Sequence, residues 1–223
     1  YKEKFSFTIF SKVEPEALQE LFNILAEKIF KNKQIKLFAI DSTDIPTYSA
    51  KDKDAKWGYR TTKRHEQILQ KKKTIRFIGY KAIVMVDCET ELPIAARVFP
   101  ANVHDSKGFF PLWNNAKRFY FAEGAKFIVD AAFDSTEIYK EIRHHGIKPL
   151  IAINGRGRYK SRQPKDKDYG KRWAVERLFS WLKEKFDLAK NKFIGLKRVI
   201  KHVFCCFIAY FIKRLMRLNL NLV

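Results

Sequence analysis

Cysteine is scarce: three residues among 223, two of them adjacent as Cys205-Cys206. That number supports no disulfide framework, and no nearby pair of Cys or His completes a zinc-binding spacing. A reducing compartment, and with it a cytoplasmic location, is expected. Acidic residues are also few, with 24 Asp and Glu against 45 Lys and Arg, a net charge of +21 and a pI of about 9.9. Such an imbalance points to a polyanionic partner, nucleic acid before all others. An anionic membrane surface would call for a basic amphipathic helix or a lipidation signal, and the chain ends carry no such motif. No apolar run is long enough to span a bilayer either. Val203 to Ile212 is free of charge, but Lys197, Arg198, Lys201, Lys213 and Arg214 flank it closely, and a span needs about 20 apolar residues. Leu196 to Leu218 therefore reads as a buried helix, and no membrane partner is expected. Internal repeats and low-complexity tracts are missing too. The chain begins at Tyr1 with neither an initiator Met nor a signal-peptide pattern, which suggests a natural N-terminus lying upstream.

What is present is ample core material: 46% hydrophobic residues, including 20 Phe and 4 Trp, enough for one domain with at most a small appendage. Residues 14 to 31 place Leu18, Leu21, Phe22, Leu25 and Ile29 at steps of three and four, an amphipathic helix. Leu37 to Ile40 is a short apolar run of the kind buried on both sheet faces, and it stops at Asp41. From Asp44 to Lys73 the pattern is lost. This stretch reads as a long basic loop carrying Lys51, Lys53, Lys56, Arg60, Lys63, Arg64, Lys71, Lys72 and Lys73 around Trp57-Gly58-Tyr59, a mixture suited to phosphate contact and base stacking. Its bland alternative is a solvated basic insertion. Ile78 to Val86 and Pro93 to Phe99 flank the turn Asp87 to Glu91 and predict a β-hairpin. Asp105 is placed to N-cap a helix running to about Phe119, with His104 in a packing or capping role.

Phe127-Ile128-Val129 repeats the design of the first strand, again closed by an aspartate, Asp130. Asp134 and Glu137 make a capping box for a helix that Gly146 ends; Asp130 has no such structural account. Leu150 to Ile153 is another short strand, opening into a basic loop with Arg156 and Arg158. That loop leads into Tyr169 to Lys183, which reads as a helix. Steps of about 100° put Tyr169, Arg172, Glu176 and Lys183 on one narrow face. The apolar stripe Val175, Phe179, Leu182 and Phe186 lies directly beside it. Glu176 thus stands at the rim of a core, although ordinary charge support on a surface helix reads the same way.

Strands and helices in this order predict an α/β layer in which the runs ending at Asp41 and Asp130 are neighbouring parallel strands. Strands lie about 4.8 Å apart, so two such aspartates can share a cation at the carboxyl edge of the sheet. Carboxylates that close repel unless protonated or metal-bound, and hard divalent ions with oxygen ligands relieve the conflict. Glu176 supplies the third acid. Three acids holding two Mg²⁺ ions, with Mn²⁺ as substitute, fit in-line phosphodiester chemistry.

Tyr169, Arg172, Glu176 and Lys183 resemble the Tyr-x2-Arg-x3-Glu-x6-Lys signature of DDE transposases of bacterial insertion sequences. Ile40-Asp41-Ser42-Thr43, Gly79-Tyr80-Lys81, Leu92-Pro93, Ala101 to Asp105, Val129-Asp130 and Phe133-Asp134-Ser135 are similar to that family's catalytic core, in the same order. The resemblance covers residues 36 to 190 and implies a ribonuclease H-like mixed sheet flanked by helices. It also implies an Asp41, Asp130 and Glu176 metal-binding triad, with Tyr169, Arg172 and Lys183 contacting DNA backbone. The activity implied is cleavage at the element end followed by strand transfer into target DNA. A DNA-binding relative without catalysis and a metal-dependent nuclease of the same fold are the alternatives. Three regions follow: an N-terminal helical segment (1–35), a catalytic domain (36–190) with its basic loop (44–75), and a C-terminal helix (191–223). Residues 14 to 31 do not resemble a complete N-terminal DNA-binding domain, so recognition of specific ends is not expected of them. The expected partner is double-stranded DNA, bound by a homodimer through Trp57, Arg60, Lys63, Arg64, Lys71, Lys72, Lys73, Arg156 and Arg158 as well as the helix residues.

Overall fold

The computed structural model describes residues 12–62, 73–153, 155 and 162–218. The first helix, α1 (Pro15–Phe30), starts with proline at its first turn, where a missing N–H is harmless. Strands β1 (Ile35–Pro46), β2 (Lys56–Thr62), β3 (Lys73–Asp87) and β4 (Pro93–Pro100) follow, then α2 (Asp105–Ala116) and β5 (Phe121–Val129). A 3₁₀ turn (Ala131–Phe133), α3 (Thr136–His144) and β6 (Lys148–Ile151) lead to a second 3₁₀ turn (Tyr169–Arg172). The chain finishes with α4 (Trp173–Lys185) and α5 (Leu196–Leu218).

The six strands form one mixed sheet. Strand β1 runs antiparallel to β3 and parallel to β5, which is parallel to β6, while β4 and β2 both pair antiparallel with β3. An antiparallel hairpin edge on a parallel centre, with helices on the faces, is the ribonuclease H-like arrangement. Its centre is dry: Phe38, Ala39, Ile40, Val84, Phe127 and Ile128 are fully buried. Phe38 stacks on Phe127 with centroids 5.1 Å apart, and Trp113 of α2 lies over Phe38 at 6.3 Å. The Trp113 indole N–H donates to Glu141 Oε1 of α3 at 2.9 Å, so the buried ring keeps its one polar atom satisfied. Phe22 of α1 meets Phe204, Phe207 and Phe211 of α5 at centroid distances of 5.5, 6.0 and 6.1 Å. No described helix is long and apolar enough to cross a membrane.

Several local expectations change. Strand β1 does not end at Asp41 but continues to Pro46 along β3; what ends near Asp41 is the pairing with β5, last seen at Ala39 opposite Ile128. The stretch read as a basic loop is partly sheet, because β2 pairs with the amino-terminal half of β3. Its hidden alternation is exposed Trp57, buried Gly58, exposed Tyr59, which a hydropathy pattern does not register. His104, not Asp105, N-caps α2, its ring nitrogen accepting from Ser106 N–H. Ser135, not Asp134, occupies the N-cap position of α3, with its hydroxyl hydrogen-bonded to Glu137. Asp87 does hold its turn, accepting from the N–H and hydroxyl of Thr90. It is also fully buried and ion-paired with Lys33 at 2.5 Å, three residues along β3 from Val84, the partner of Asp41.

Asp52 fixes the connection between β1 and β2. It is 5% exposed and its Oδ2 accepts from Tyr80 Oη (2.8 Å), Thr47 Oγ1 (3.0 Å) and Gly195 N–H (3.1 Å). Asp54 Oδ2 accepts from Leu196 N–H at 2.9 Å, giving the start of α5 an acidic partner from a distant loop.

Candidate active site

Register places the first two acids. Leu37, Phe38 and Ala39 lie opposite Lys126, Phe127 and Ile128, and continuing that count by two residues sets Asp41 opposite Asp130. Each carboxylate is oriented by backbone. Asp41 Oδ1 accepts from Ser42 N–H at 2.8 Å, and Asp130 Oδ1 accepts from Ala132 N–H at 2.8 Å as the N-cap of the first 3₁₀ turn.

The third acid comes from α4. Its entry turn is 3₁₀ rather than α-helical through Arg172, so the uniform 100° stepping applied to Tyr169 does not hold in that turn. Contacts locate these residues instead. Tyr169 Oη donates to the carbonyl of Val129 at 3.3 Å, tying the turn to the strand that delivers Asp130. Arg172 Nη1 donates to Asp41 Oδ2 at 3.2 Å and its Nη2 donates to Glu176 Oε1 at 2.6 Å. One guanidinium thus bridges the strand acid and the helix acid. Lys183 lies exposed on α4, seven residues beyond Glu176 and so about 10 Å along the helix axis.

A fourth carboxylate, Asp105, enters from α2. Its Oδ2 accepts from Ser42 Oγ at 2.9 Å and its Oδ1 from Lys81 Nζ at 2.7 Å. Its position before a helix predicts only a cap; the signal for a site role is its place directly after Ala101 to His104 in the family-like run. Ser42 and Asp41 point to opposite faces of β1, so α2 and α4 approach the acid edge from either side of the sheet.

Crowding shows in the acid-base balance. Burial pushes Asp41 up to about 7, the charge of Asp130 adds to this, and the Ser42 N–H, Arg172 and Asp105 make smaller contributions of either sign. Asp130 is also raised, by burial first and by Asp105 and Glu176, against the opposing pull of the Ala132 N–H and Arg172. Among the described residues no three His, Cys, Asp or Glu side chains converge closely enough to form a ready metal cage. The donor set nonetheless fits a hard divalent cation: carboxylate oxygens only, mutually repelling, with a guanidinium already lying between two of them.

Of the other residues singled out in the sequence, Trp57 is exposed on β2, and Arg60 and Lys73 belong to the paired segments of β2 and β3. Lys63, Arg64, Lys71, Lys72, Arg156 and Arg158 lie outside the described residues. Arg162 joins Ile153 in a short antiparallel bridge. Asp166 and Asp168 beyond it are ion-paired with Lys126 at 3.0 and 2.6 Å, so part of the local positive charge is internally matched.

Fold and site together define a mixed α/β protein with paired aspartates at the carboxyl edge of parallel strands and a glutamate brought over them by a helix. Residues 32–212 match the sequence model of the transposase DDE domain. The chain belongs to that family. No curated protein sequence gives a significant match. Among solved structures, the catalytic core domain of BIV integrase is similar at 13% identity and a TM-score of 0.44, over 76% of this chain and 81% of that one. A piggyBac transposase synaptic complex with hairpin DNA is similar at 9% identity and a TM-score of 0.42, over 86% of this chain. The mariner Mos1 paired end complex with Mg gives 12% and 0.31, over 90% of this chain. The chain spans 50% and 62% of those two transposase chains.

Proposed function

We propose that this chain is the catalytic core of a DNA transposase that cleaves the phosphodiester at the ends of an insertion sequence and joins the freed end to target DNA. The observation that carries the reading is the convergence of Asp41 and Asp130 in strand register, with Glu176 linked to Asp41 through Arg172. Asp41, Asp130 and Glu176 are the residues that would hold two Mg²⁺ ions, or Mn²⁺ in their place. Such ions, when bound, activate the attacking oxygen and stabilise the leaving one.

The chain's own residues do the positioning. Ser42 and Ala132 N–H groups fix the aspartates, Tyr169 ties the α4 entry turn to the end of β5, and Arg172 offers a guanidinium fork suited to a DNA phosphate. Lys183 extends that contact along the same helix. A net charge of +21 supplies the non-specific attraction to double-stranded DNA. The core works on its DNA as a homodimer, with residues 36–190 as the catalytic unit.

The test is cleavage and strand transfer on duplexes bearing native element ends, with Mg²⁺. Asp41→Asn, Asp130→Asn and Glu176→Gln should each abolish cleavage with folding and DNA binding retained, and any one loss should cost about as much as all three. Full activity in any of these folded variants would remove that residue from the triad. Hydrolysis with no strand transfer would make the protein a nuclease of the same fold.

A further inference from the structure

The β2–β3 ribbon presents an unusual surface. Trp57 is 52% exposed and Tyr59 64% exposed, while Gly58 between them is buried. Gly58 explains the orientation: a Cβ there would fall 2.8 Å from Ala101 Cβ and from the Phe77 ring. Only glycine lets β2 lie this close, and the strand's alternation then turns both aromatic neighbours outward. Arg76 lies opposite Tyr59 in the ladder, and its guanidinium sits 5.0 Å from the Trp57 ring centroid and 5.6 Å from that of Tyr59. The guanidinium holds both rings upright and leaves much of their surface to solvent.

Pairing shows which side of the sheet this surface is on. Trp57 lies opposite Ile78 and Tyr59 opposite Arg76, while Asp41 lies opposite Val84. Residues 76, 78 and 84 of β3 share one face, so the two rings and Asp41 look out from the same face. Six residues of β3 separate the Trp57 and Asp41 partners, about 20 Å along the strand. That distance corresponds to about six nucleotide steps of 3.4 Å.

We infer that Trp57 and Tyr59, braced by Arg76, form a stacking site for unpaired bases of a DNA strand whose phosphate lies at the carboxylate edge. The choice of occupant rests on charge and shape. Exposed Arg76 lies against flat π surfaces, and exposed Lys53 and Lys56 precede them in the chain; a strand of unpaired DNA brings phosphates and base faces together, whereas paired bases keep their faces buried in the stack. The inference depends on the DNA reading above and adds to it a preference for a locally opened strand.

Fluorescence anisotropy with the full chain tests it, comparing a blunt duplex with the same duplex carrying a six-nucleotide single-stranded extension. The wild-type protein should bind the extended duplex at least tenfold more tightly, the effect of stacking about one base. W57A/Y59A should lose that preference, and W57F/Y59F, which keeps the π faces, should retain it. An unchanged preference in a folded W57A/Y59A, an equal loss on both duplexes, or no preference in the wild type would each overturn the stacking site. So would a self-association that W57A/Y59A abolishes, which would make the rings a protein interface. Failure of the wild type to bind either duplex would overturn the DNA reading itself, separately from the stacking site.

Discussion

A divalent ion entering between Asp41 and Glu176 has to displace a guanidinium, so Arg172→Ala should tighten metal binding rather than weaken it. The side chains of Arg172 and Asp41 are 19% and 20% exposed, while Glu176 is 48% exposed. A charged hydrogen bond in the more enclosed pair contributes about 1.5 kcal/mol, and the half-exposed Glu176 pair adds at most about 0.5 kcal/mol after solvent screening. Giving up roughly 2 kcal/mol of competing interaction corresponds to about a 30-fold gain in metal affinity for the variant. Removing a positive charge beside the ion pushes in the same direction. Arg172→Lys should fall between, because an ammonium keeps the charge but cannot bridge both acids with a planar fork. Mn²⁺ titration followed by electron paramagnetic resonance, without DNA and above pH 7.5, reads the effect directly. Affinity for DNA should fall in the same variant if Arg172 turns to a phosphate once released. Weaker Mn²⁺ binding by a folded Arg172→Ala would refute the reasoning and make Arg172 a residue that arranges the acids for the ion.

Asp41 also sets a pH dependence. Its pKa in the folded protein is raised to about 7, above the ordinary carboxylate value, so the folded state holds this proton more tightly than the unfolded chain. Without divalent ions its contribution to stability should therefore decline as pH rises from about 4 to about 7, and thermal melts of Asp41→Asn should lack that component. Asp52 shows the opposite sign. Although burial raises its pKa, hydrogen bonds from Gly195, Tyr80, Thr47 and Asp54 outweigh it and leave the group lowered. Its stabilisation is present above the ordinary carboxylate value and is lost as pH falls through the lower folded one. Asp52→Ala should destabilise the fold by about 2–4 kcal/mol, since it strips buried donors of their acceptor; a denaturant midpoint within error of wild type would contradict this.

How much of this was legible in the chain depends on where the information resides. Leu37 to Asp41 and Phe127 to Asp130 match one another because strands buried on both faces are continuous apolar runs; where both runs stop, the parallel pairing of β1 with β5 ends, although β1 itself runs on to Pro46 beside β3. Extending the paired register of Ala39 and Ile128 by two residues then sets the aspartates opposite one another. The sheet's hairpin and helices α1 and α5 were readable for the same reason, since their burial is periodic along the chain. Strand β2 was not, because its buried face is a glycine accommodated by Ala101 and Phe77, and its outward face carries aromatic rings that hydropathy assigns to a core. Asp105 has the local pattern of a cap, because Asp before a helix usually is one. What moves it to the site is Ser42 and Lys81 on other strands, while His104 takes the cap itself. Arg172 could be placed near Glu176 from helical spacing alone, but its bond to Asp41, 131 residues away, exists only after the sheet and α4 have packed. The acids, then, are announced by local pattern. The guanidinium between Asp41 and Glu176 and the fourth carboxylate beside them are products of packing, and under the proposed function they would set how tightly an ion is held.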